Sequence, residues 1–238
     1  CANPAMRIRR SLETQQAFYK LSSAFHAERP NFVYFKRDGS IPWHGREIVT
    51  YPFTLNWLKQ NPNALNPLRV LRGAQISGAH PSCGMHVHMS RQGLTNLGVY
   101  KFLLLLYGSA RRRGLAELIG GRRANSYCSW NEMGHLSRKA SIYSEYDHCS
   151  EEHHNAVNTM NRSTVEVRIF KGTSSVPSVL KNIEYVAAAR KFTESRGISD
   201  IKEDAFLEFV SQYRKSFSHL QSFIERKARH IQRLGITY

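Results

Sequence analysis

The sequence predicts an α+β protein with an antiparallel or mixed sheet. Its 238 residues are 41% hydrophobic and 22% charged, which provides enough apolar side chains for a core. Segments with strand-like and helix-like patterns do not alternate strictly, which favours this class over a doubly wound fold. No apolar run is long enough to span a bilayer, and the arginine-rich first ten residues are unlike a signal peptide, so neither a membrane span nor a leader is expected.

The predicted elements follow from hydrophobic periodicity and turn signals. Helices are expected at residues 11–25, within 94–113, from Pro177 to about 194, and at 203–229. Strands are expected at 31–36, 47–51, 82–90 and 163–170. The apolar stripe of the last helix is expected to be core: Phe206, Val210, Tyr213, Phe217, Leu220 and Ile224. We expect one domain over residues 1–200 and a helical extension over 201–238 that packs on it.

The charge of the chain is strongly positive. Thirty-four lysines and arginines against eighteen acidic residues give a net charge of +16. Such a surface attracts polyanions, including nucleic acid, nucleotides and acidic peptides, although a basic surface can also serve solubility alone. The four cysteines, at positions 1, 83, 128 and 149, lack CxxC spacing and are expected to be free thiols.

Residues 84–90 (GMHVHMS) place two imidazoles and a hydroxyl on one face of a strand. Side chains alternate across a strand, so His86, His88 and Ser90 point one way. The methionines and the valine between them point the other way, toward a core. Neighbouring Cβ atoms on that face lie about 7 Å apart, which suits one metal or a metal beside an anionic ligand.

A second strand pairs a carboxylate with a guanidinium. In residues 164–170 (TVEVRIF), Glu166 and Arg168 share the face opposite the apolar side chains. Such a pair can be a structural ion pair, or a metal ligand beside an anion clamp, because arginine presents a planar fork to carboxylate or phosphate. Glu47, at the head of the strand 47–51, is a third candidate ligand, since hard cations prefer oxygen atoms.

These motifs belong to a series that resembles the glutamine synthetase-like amidoligases, which are predicted carboxylate–amine ligases often found in phages and bacteria. GMHVHMS is similar to the histidine strand of glutamine synthetase, and STVEVRIFKGT to its later Glu-x-Arg strand. Five segments follow in the order of the amidoligase family: 36–40 (KRDGS), 45–49 (GREIV), 83–90 (CGMHVHMS), 153–158 (HHNAVN) and 164–173 (TVEVRIFKGT). The resemblance implies a glutamine synthetase-like curved sheet flanked by helices.

The resemblance also implies a metal and a substrate site. His86 and Glu166 would be ligands of a divalent metal, Mg²⁺ or Mn²⁺, and Glu47 resembles a further carboxylate of that site. Arg168 would hold the carboxylate of the acidic substrate. The catalytic residues implied are therefore Arg168, Glu166 and His86.

The nucleotide would be ATP, and a further set of residues would contact it. His88 would approach its phosphates, Ser90 would lie on the nucleotide side, and Arg122 and Arg123 could neutralise phosphate charge. ATP would phosphorylate a carboxylate, and an amine would attack the resulting acyl phosphate, with mainly electrostatic help from the protein.

The implied partners follow from this reaction. They are ATP, an acidic substrate and an amine, which could be small molecules or groups on a peptide or protein. A cytoplasmic homo-oligomer without membrane contact is expected, or a virion-associated protein if a phage encodes it. Nucleic acid is a further expected partner because of the +16 charge.

One departure from the family leaves an alternative open. The family begins with a Glu-x-Glu strand, whereas residues 5–10 read AMRIRR. Either the acidic strand precedes Cys1, or arginines take its place. In the second case the alternative function is that of a catalytically impaired nucleic-acid-binding or virion structural protein, with basic residues at 111–113, 122–123 and 226–230.

Two zinc-based readings are weaker. The cluster at 148–154 (HCSEEHH) contains potential zinc ligands, but its spacing matches no standard finger. A zinc hydrolase of the HxH-barrel type would need eight strand–helix units, and the chain shows no such alternation.

Overall fold

The computed structural model describes residues 4–37, 46–73, 83–107, 114–122, 128–130 and 155–236. Its helices are α1 (Pro4–Glu28), α2 (Leu55–Gln60), α3 (Arg69–Gly73), α4 (Asn96–Tyr107), α5 (Gly114–Gly120), α6 (Val176–Glu194), α7 (Glu203–Gln212) and α8 (Ser218–Arg233). Its strands are β1 (Val33–Lys36), β2 (Glu47–Thr50), β3 (Gly84–Ser90), β4 (Val157–Asn158) and β5 (Thr164–Lys171).

Both sheets formed by these strands are antiparallel. One has the order β1-β2 and the other the order β3-β5-β4. The α+β class is therefore confirmed, while a curved sheet of the glutamine synthetase kind stays a prediction. Among the described helices, none combines the length and the apolar character needed to cross a bilayer.

The chain separates into two compact units. Residues 1–83 and 172–179 form the first, and residues 84–171 and 180–238 form the second. Helices α7 and α8, expected as an extension after residue 200, belong to the second unit together with the larger sheet. The boundary at 200 stays a prediction.

The first unit contains the long helix α1 and the β1-β2 hairpin. Phe18 of α1 contacts Phe35 of β1 edge to face, with ring centroids 6.2 Å apart. Phe25 and Phe32 are buried and lie 6.4 Å apart, at the point where the chain turns from α1 into β1. Residues 5–10, which include three arginines, form part of α1 rather than a strand.

The register of the second unit's sheet places its polar residues side by side. Glu166 of β5 pairs with His88 of β3 on one side and with Asn158 of β4 on the other. The pairing shifts between Met85 and Val87, where β5 carries one residue more than β3. His86 lies in this irregular interval, so a β-bulge sets its position relative to β5.

Helix α5 is held at both ends by side chains from later helices. The Glu203 carboxylate of α7 accepts a hydrogen bond from the Leu115 N–H at 2.8 Å. The Lys181 ammonium of α6 donates to the Ile119 carbonyl oxygen at the other end. Helix ends leave backbone groups without intrahelical partners, and an acid at the start and a cation at the end also match the helix dipole. The short helix is thus fixed to α6 and α7.

A row of aromatic side chains connects the sheet to the helices. Phe170 of β5 contacts Tyr185 of α6, and Tyr185 contacts Phe206 of α7, with ring centroids 6.2 and 5.8 Å apart. Phe206 in turn contacts Phe192 at 5.6 Å. All four are fully buried, and edge-to-face aromatic pairs stabilise beyond the area they bury.

The single helix predicted over 203–229 is wrong, because the chain forms α7 and α8 with a turn between them. Phe217 in this turn is buried, so the apolar spacing continues through a non-helical segment. The buried Glu184 carboxylate accepts a hydrogen bond from the Leu220 N–H at 2.8 Å, which provides a partner for the new helix start. Tyr213, predicted as core, is 37% exposed.

Candidate functional site

The candidate site is the polar face of the β3-β5-β4 sheet. As predicted, the apolar side chains of β5, including Val165 and Val167, are completely buried. The opposite face carries Glu166, with His86 and His88 from β3 next to it. Alternation along the two strands therefore brings the imidazoles, the carboxylate and the guanidinium of the predicted site together.

Glu166 is the centre of this group. Its Oε1 atom accepts a hydrogen bond from Arg168 Nη1 at 2.6 Å and lies 3.0 Å from His86 Nδ1. Its Oε2 atom accepts a hydrogen bond from Asn158 Nδ2 at 3.0 Å. The carboxylate is 10% exposed, so these three neighbours replace most of its contact with water. Hydrogen bonds from charged groups are the stronger kind, and they fix the orientation of the acid.

The surroundings of Glu166 favour its ionised form. Burial alone would raise the pKa of this carboxyl, because a low-dielectric environment disfavours charge. The His86 hydrogen bond and the Arg168 charge act in the opposite direction, with smaller contributions from His86 and His88 charge, and lower the pKa to about 2. Glu166 is therefore an anion throughout the physiological range.

His88 and Ser90 lie toward the solvent end of β3. The His88 ring is 50% exposed, with Nε2 3.8 Å from Glu166 Oε1 and Nδ1 3.4 Å from Thr164 Oγ1. The Ser90 hydroxyl accepts a hydrogen bond from the Gln92 N–H at 3.1 Å. Arg190 of α6 donates to the Ser90 carbonyl oxygen at 3.0 Å and so holds this end of the strand. His88 is the more accessible imidazole for an incoming ligand.

Arg122 contacts the backbone of both β3 and β5. It is buried, and its Nη1 atom donates to the Arg168 carbonyl oxygen at 3.2 Å. Its guanidinium packs against Gly84, where a Cβ atom would lie less than 3.0 Å from the Arg122 group. The residue therefore supports the backbone that carries Arg168. Arg123 lies outside the described residues, and its phosphate role stays a prediction.

The remaining predicted residues belong to the first unit or lie outside the described ranges. Glu47 belongs to the first unit, where it forms a 3.0 Å ion pair with Lys36 across the hairpin. Its metal role stays a prediction. The basic segment 111–113 and the cluster 148–154 fall outside the described residues.

Asn158 is a site residue that the sequence reasoning missed. It is buried in the two-residue strand β4, and besides bonding Glu166 it accepts a hydrogen bond from the Met160 N–H at 2.9 Å. The segment 153–158 had been recognised only as a motif. The available signal in the sequence is the position of Asn158 as the second asparagine of that motif, shortly before the Glu166 strand.

Two side chains of the cluster are of the types that ligate a divalent cation. Within the described ranges, no three histidine, cysteine or acidic side chains form a group able to hold a metal ion. Glu166 does provide an anionic oxygen, and His86 an imidazole nitrogen beside it. Magnesium is commonly bound by one or two carboxylates together with substrate phosphates and waters. Glu166 and His86 are thus two side chains of the types that ligate Mg²⁺ or Mn²⁺, and in this structure they contact each other.

Comparison of the chain with protein-family models, with curated proteins and with solved structures gives no match.

Proposed function

We propose that the second unit is the catalytic part of an ATP-dependent carboxylate–amine ligase. The observation that supports this proposal best is the convergence of His86, Arg168 and Asn158 on the buried Glu166 carboxylate. The cluster offers a negative position for a cation next to a positive position for an acidic substrate. Phosphoryl transfer to a carboxylate depends mainly on a negative group that holds the metal ion and a positive group that holds the acidic substrate.

Arg168 is suited to holding the acidic substrate. Its guanidinium is 14% exposed, and its bond to Glu166 sets its orientation before a ligand arrives. The planar group carries five N–H donors and can engage a carboxylate through two parallel hydrogen bonds. Arg122 donates a hydrogen bond to the Arg168 carbonyl oxygen and so supports the backbone of the same residue.

Glu166, His86 and His88 are assigned to the side of the nucleotide and the metal. Bound Mg²⁺ and ATP would supply the transferable phosphoryl group and neutralise part of its charge, and the overall reaction would yield an amide, ADP and phosphate. Glu166 would provide an anionic ligand and His86 an imidazole ligand. The exposed His88 would approach the phosphates at the open end of the strand.

The test is a hydroxylamine trap with a panel of small carboxylic acids. Full-length protein is incubated with ATP, Mg²⁺ or Mn²⁺, each acid and hydroxylamine, and phosphate release and hydroxamate are measured. We expect His86→Ala and Glu166→Ala to reduce both products at least about tenfold and to weaken Mn²⁺–ATP binding. His230→Ala and Glu208→Ala are matched controls, because these side chains are exposed on the helices α8 and α7 and do not belong to the site. If neither site variant weakens nucleotide binding or phosphate release, the proposal fails.

A second candidate function is nucleic-acid binding by a catalytically impaired protein, and helix α8 favours it. Four exposed cationic side chains lie between residues 226 and 233. The one acid of α8, Glu225, accepts a hydrogen bond from Gln221 at 2.9 Å. Contacts between such cationic side chains and the phosphates of a nucleic acid make its affinity depend steeply on salt concentration. Arg229→Gln should lower the log–log salt slope for duplex DNA by about one. A slope unchanged by this substitution would exclude α8 as the contact surface.

A further inference from the structure

The first unit contains an open pocket that the ligase proposal leaves unassigned. The pocket has a volume of about 560 Å³, and the chain following α1 and the chain joining β2 to α2 line it. Phe32, Phe53 and Trp57 form its aromatic part, with ring centroids 5.1 to 5.9 Å from one another. The hydroxyl of Thr54 accepts a hydrogen bond from the Trp57 N–H at 3.0 Å and fixes the start of α2. The pocket wall is therefore well defined.

Two exposed tyrosines extend the aromatic surface beyond the pocket. Tyr51 lines the pocket and is 51% exposed, and Tyr34 on the neighbouring strand is 43% exposed. Their ring centroids lie 5.5 Å apart. We call Tyr34, Tyr51, Phe53 and Trp57 the aromatic platform. The two exposed tyrosines, with the half-buried Phe53 and Trp57 after the hairpin, offer stacking surface to a ligand.

The charge at the platform is positive. Arg29 is the one ionised side chain among the described residues that line the pocket, and none of them is acidic. Its guanidinium lies 5.5 Å from the Trp57 ring centroid and bonds the Asn61 side chain, which holds it over the indole. Outside the pocket lining, this unit exposes Lys59 and Arg37 as well as the acid Glu28. An occupant should therefore combine a planar ring with a negative group.

A planar ring combined with a negative group is characteristic of a nucleotide unit. Bases stack on aromatic side chains, and phosphates pair with nearby cations. The Tyr34–Tyr51 pair lies beside the pocket and offers a second stacking position, which favours a strand with successive bases over a free nucleotide. A proline-rich peptide also binds aromatic grooves, but it offers no anion to Arg29. The +16 charge of the chain further favours a polyanion.

We propose that the first unit binds single-stranded nucleic acid, with bases stacked on the aromatic platform and phosphate facing Arg29. The proposal is independent of the ligase activity. Its test is the affinity of the full chain for fluorescein-labelled oligo(dT) of about 12 nucleotides, measured by anisotropy over a range of salt concentrations. We expect Tyr51→Ala to raise Kd about tenfold and Tyr51→Phe to leave it unchanged, because stacking needs the ring and not the hydroxyl. Arg29→Ala should lower the salt slope by about one.

The matched control is Tyr19→Ala. Tyr19 is 76% exposed on α1 and does not line the pocket, so the same truncation there should leave Kd unchanged. Thermal melts of each variant separate a loss of binding from a loss of folding. Equal affinity of wild type and Tyr51→Ala, or equal competition by a duplex of the same length, would overturn the proposal. Displacement of the oligonucleotide by dTMP at the same concentration as the oligonucleotide would also overturn the proposal, because the pocket would then bind a free nucleotide.

Discussion

Replacing Glu166 with glutamine should destabilise the protein in a way that depends on pH. The substitution keeps the shape of the side chain and removes its charge, which faces Arg168 at 2.6 Å and His86 at 3.0 Å. The folded-state pKa of about 2 lies below the ordinary value of 4.5. At 1.36 kcal/mol per pKa unit, this difference corresponds to about 3 kcal/mol of stability near pH 7.

The sign of the pH dependence follows from the lowered pKa. The unfolded chain binds a proton to this carboxyl near pH 4.5, whereas the folded chain does so only near pH 2. The stabilisation is therefore complete above pH 4.5 and is lost as the pH falls toward 2. The gap in unfolding free energy between wild type and Glu166→Gln should narrow over the same interval.

Urea denaturation followed by circular dichroism measures this gap at a series of pH values. Glu208→Gln is the control, because Glu208 is exposed on α7 and its substitution should change the free energy of unfolding by less than about 0.5 kcal/mol. A Glu166→Gln variant as stable as wild type at pH 7 would refute the reasoning. So would a gap that stays constant down to pH 2.

Three further predictions concern the second unit. Burial lowers the pKa of Lys181 from 10.5 to about 8. The contribution of Lys181 to the free energy of unfolding should therefore rise as the pH increases from 8 to 10.5. Lys181→Met should flatten this rise when the free energy of unfolding is measured by denaturation at each pH. Gly120→Ala should cost about 1–3 kcal/mol in the same assay, because its Cβ would lie less than 3.0 Å from the Ile169 carbonyl oxygen. Burial raises the pKa of the Cys128 thiol, so a thiol reagent at pH 8 should modify Cys128 more slowly than the partly exposed Cys83 of the first unit, and equal rates at these two cysteines would contradict this.

The sequence predicted those elements whose pattern extends over several residues. The alternation in β5 predicts both of its faces, including Glu166, whereas in β3 only Met89 of the three apolar side chains is buried and Met85 and Val87 are half-buried. Helices α2, α3 and α5 have only five to seven residues, fewer than the window of about 11–18 residues over which a helical period is recognised, so the sequence does not predict them. The break between α7 and α8 was hidden because Phe217 is buried in the turn and continues the apolar spacing.

The composition of the site was easier to predict than its geometry. The residue types are enough to predict His86, Glu166 and Arg168 as site residues, because polar side chains that alternate with apolar ones along a strand indicate a functional face. Their separations depend on the pairing register and on the bulge between Met85 and Val87, which the local sequence does not encode. Asn158 joins the site only through β4, a strand of two residues.

The anchoring of α5 makes its folding depend on chain that is synthesised much later. Residues 114–120 find their terminal partners in Lys181 and Glu203, some 60 to 90 positions downstream. A ribosome-bound chain that has not yet exposed residue 203 therefore lacks the acid that holds the start of this helix. A helix of seven residues is marginal by itself in water, so nascent chains stopped before and after Glu203 emerges should differ in the protease resistance of this segment.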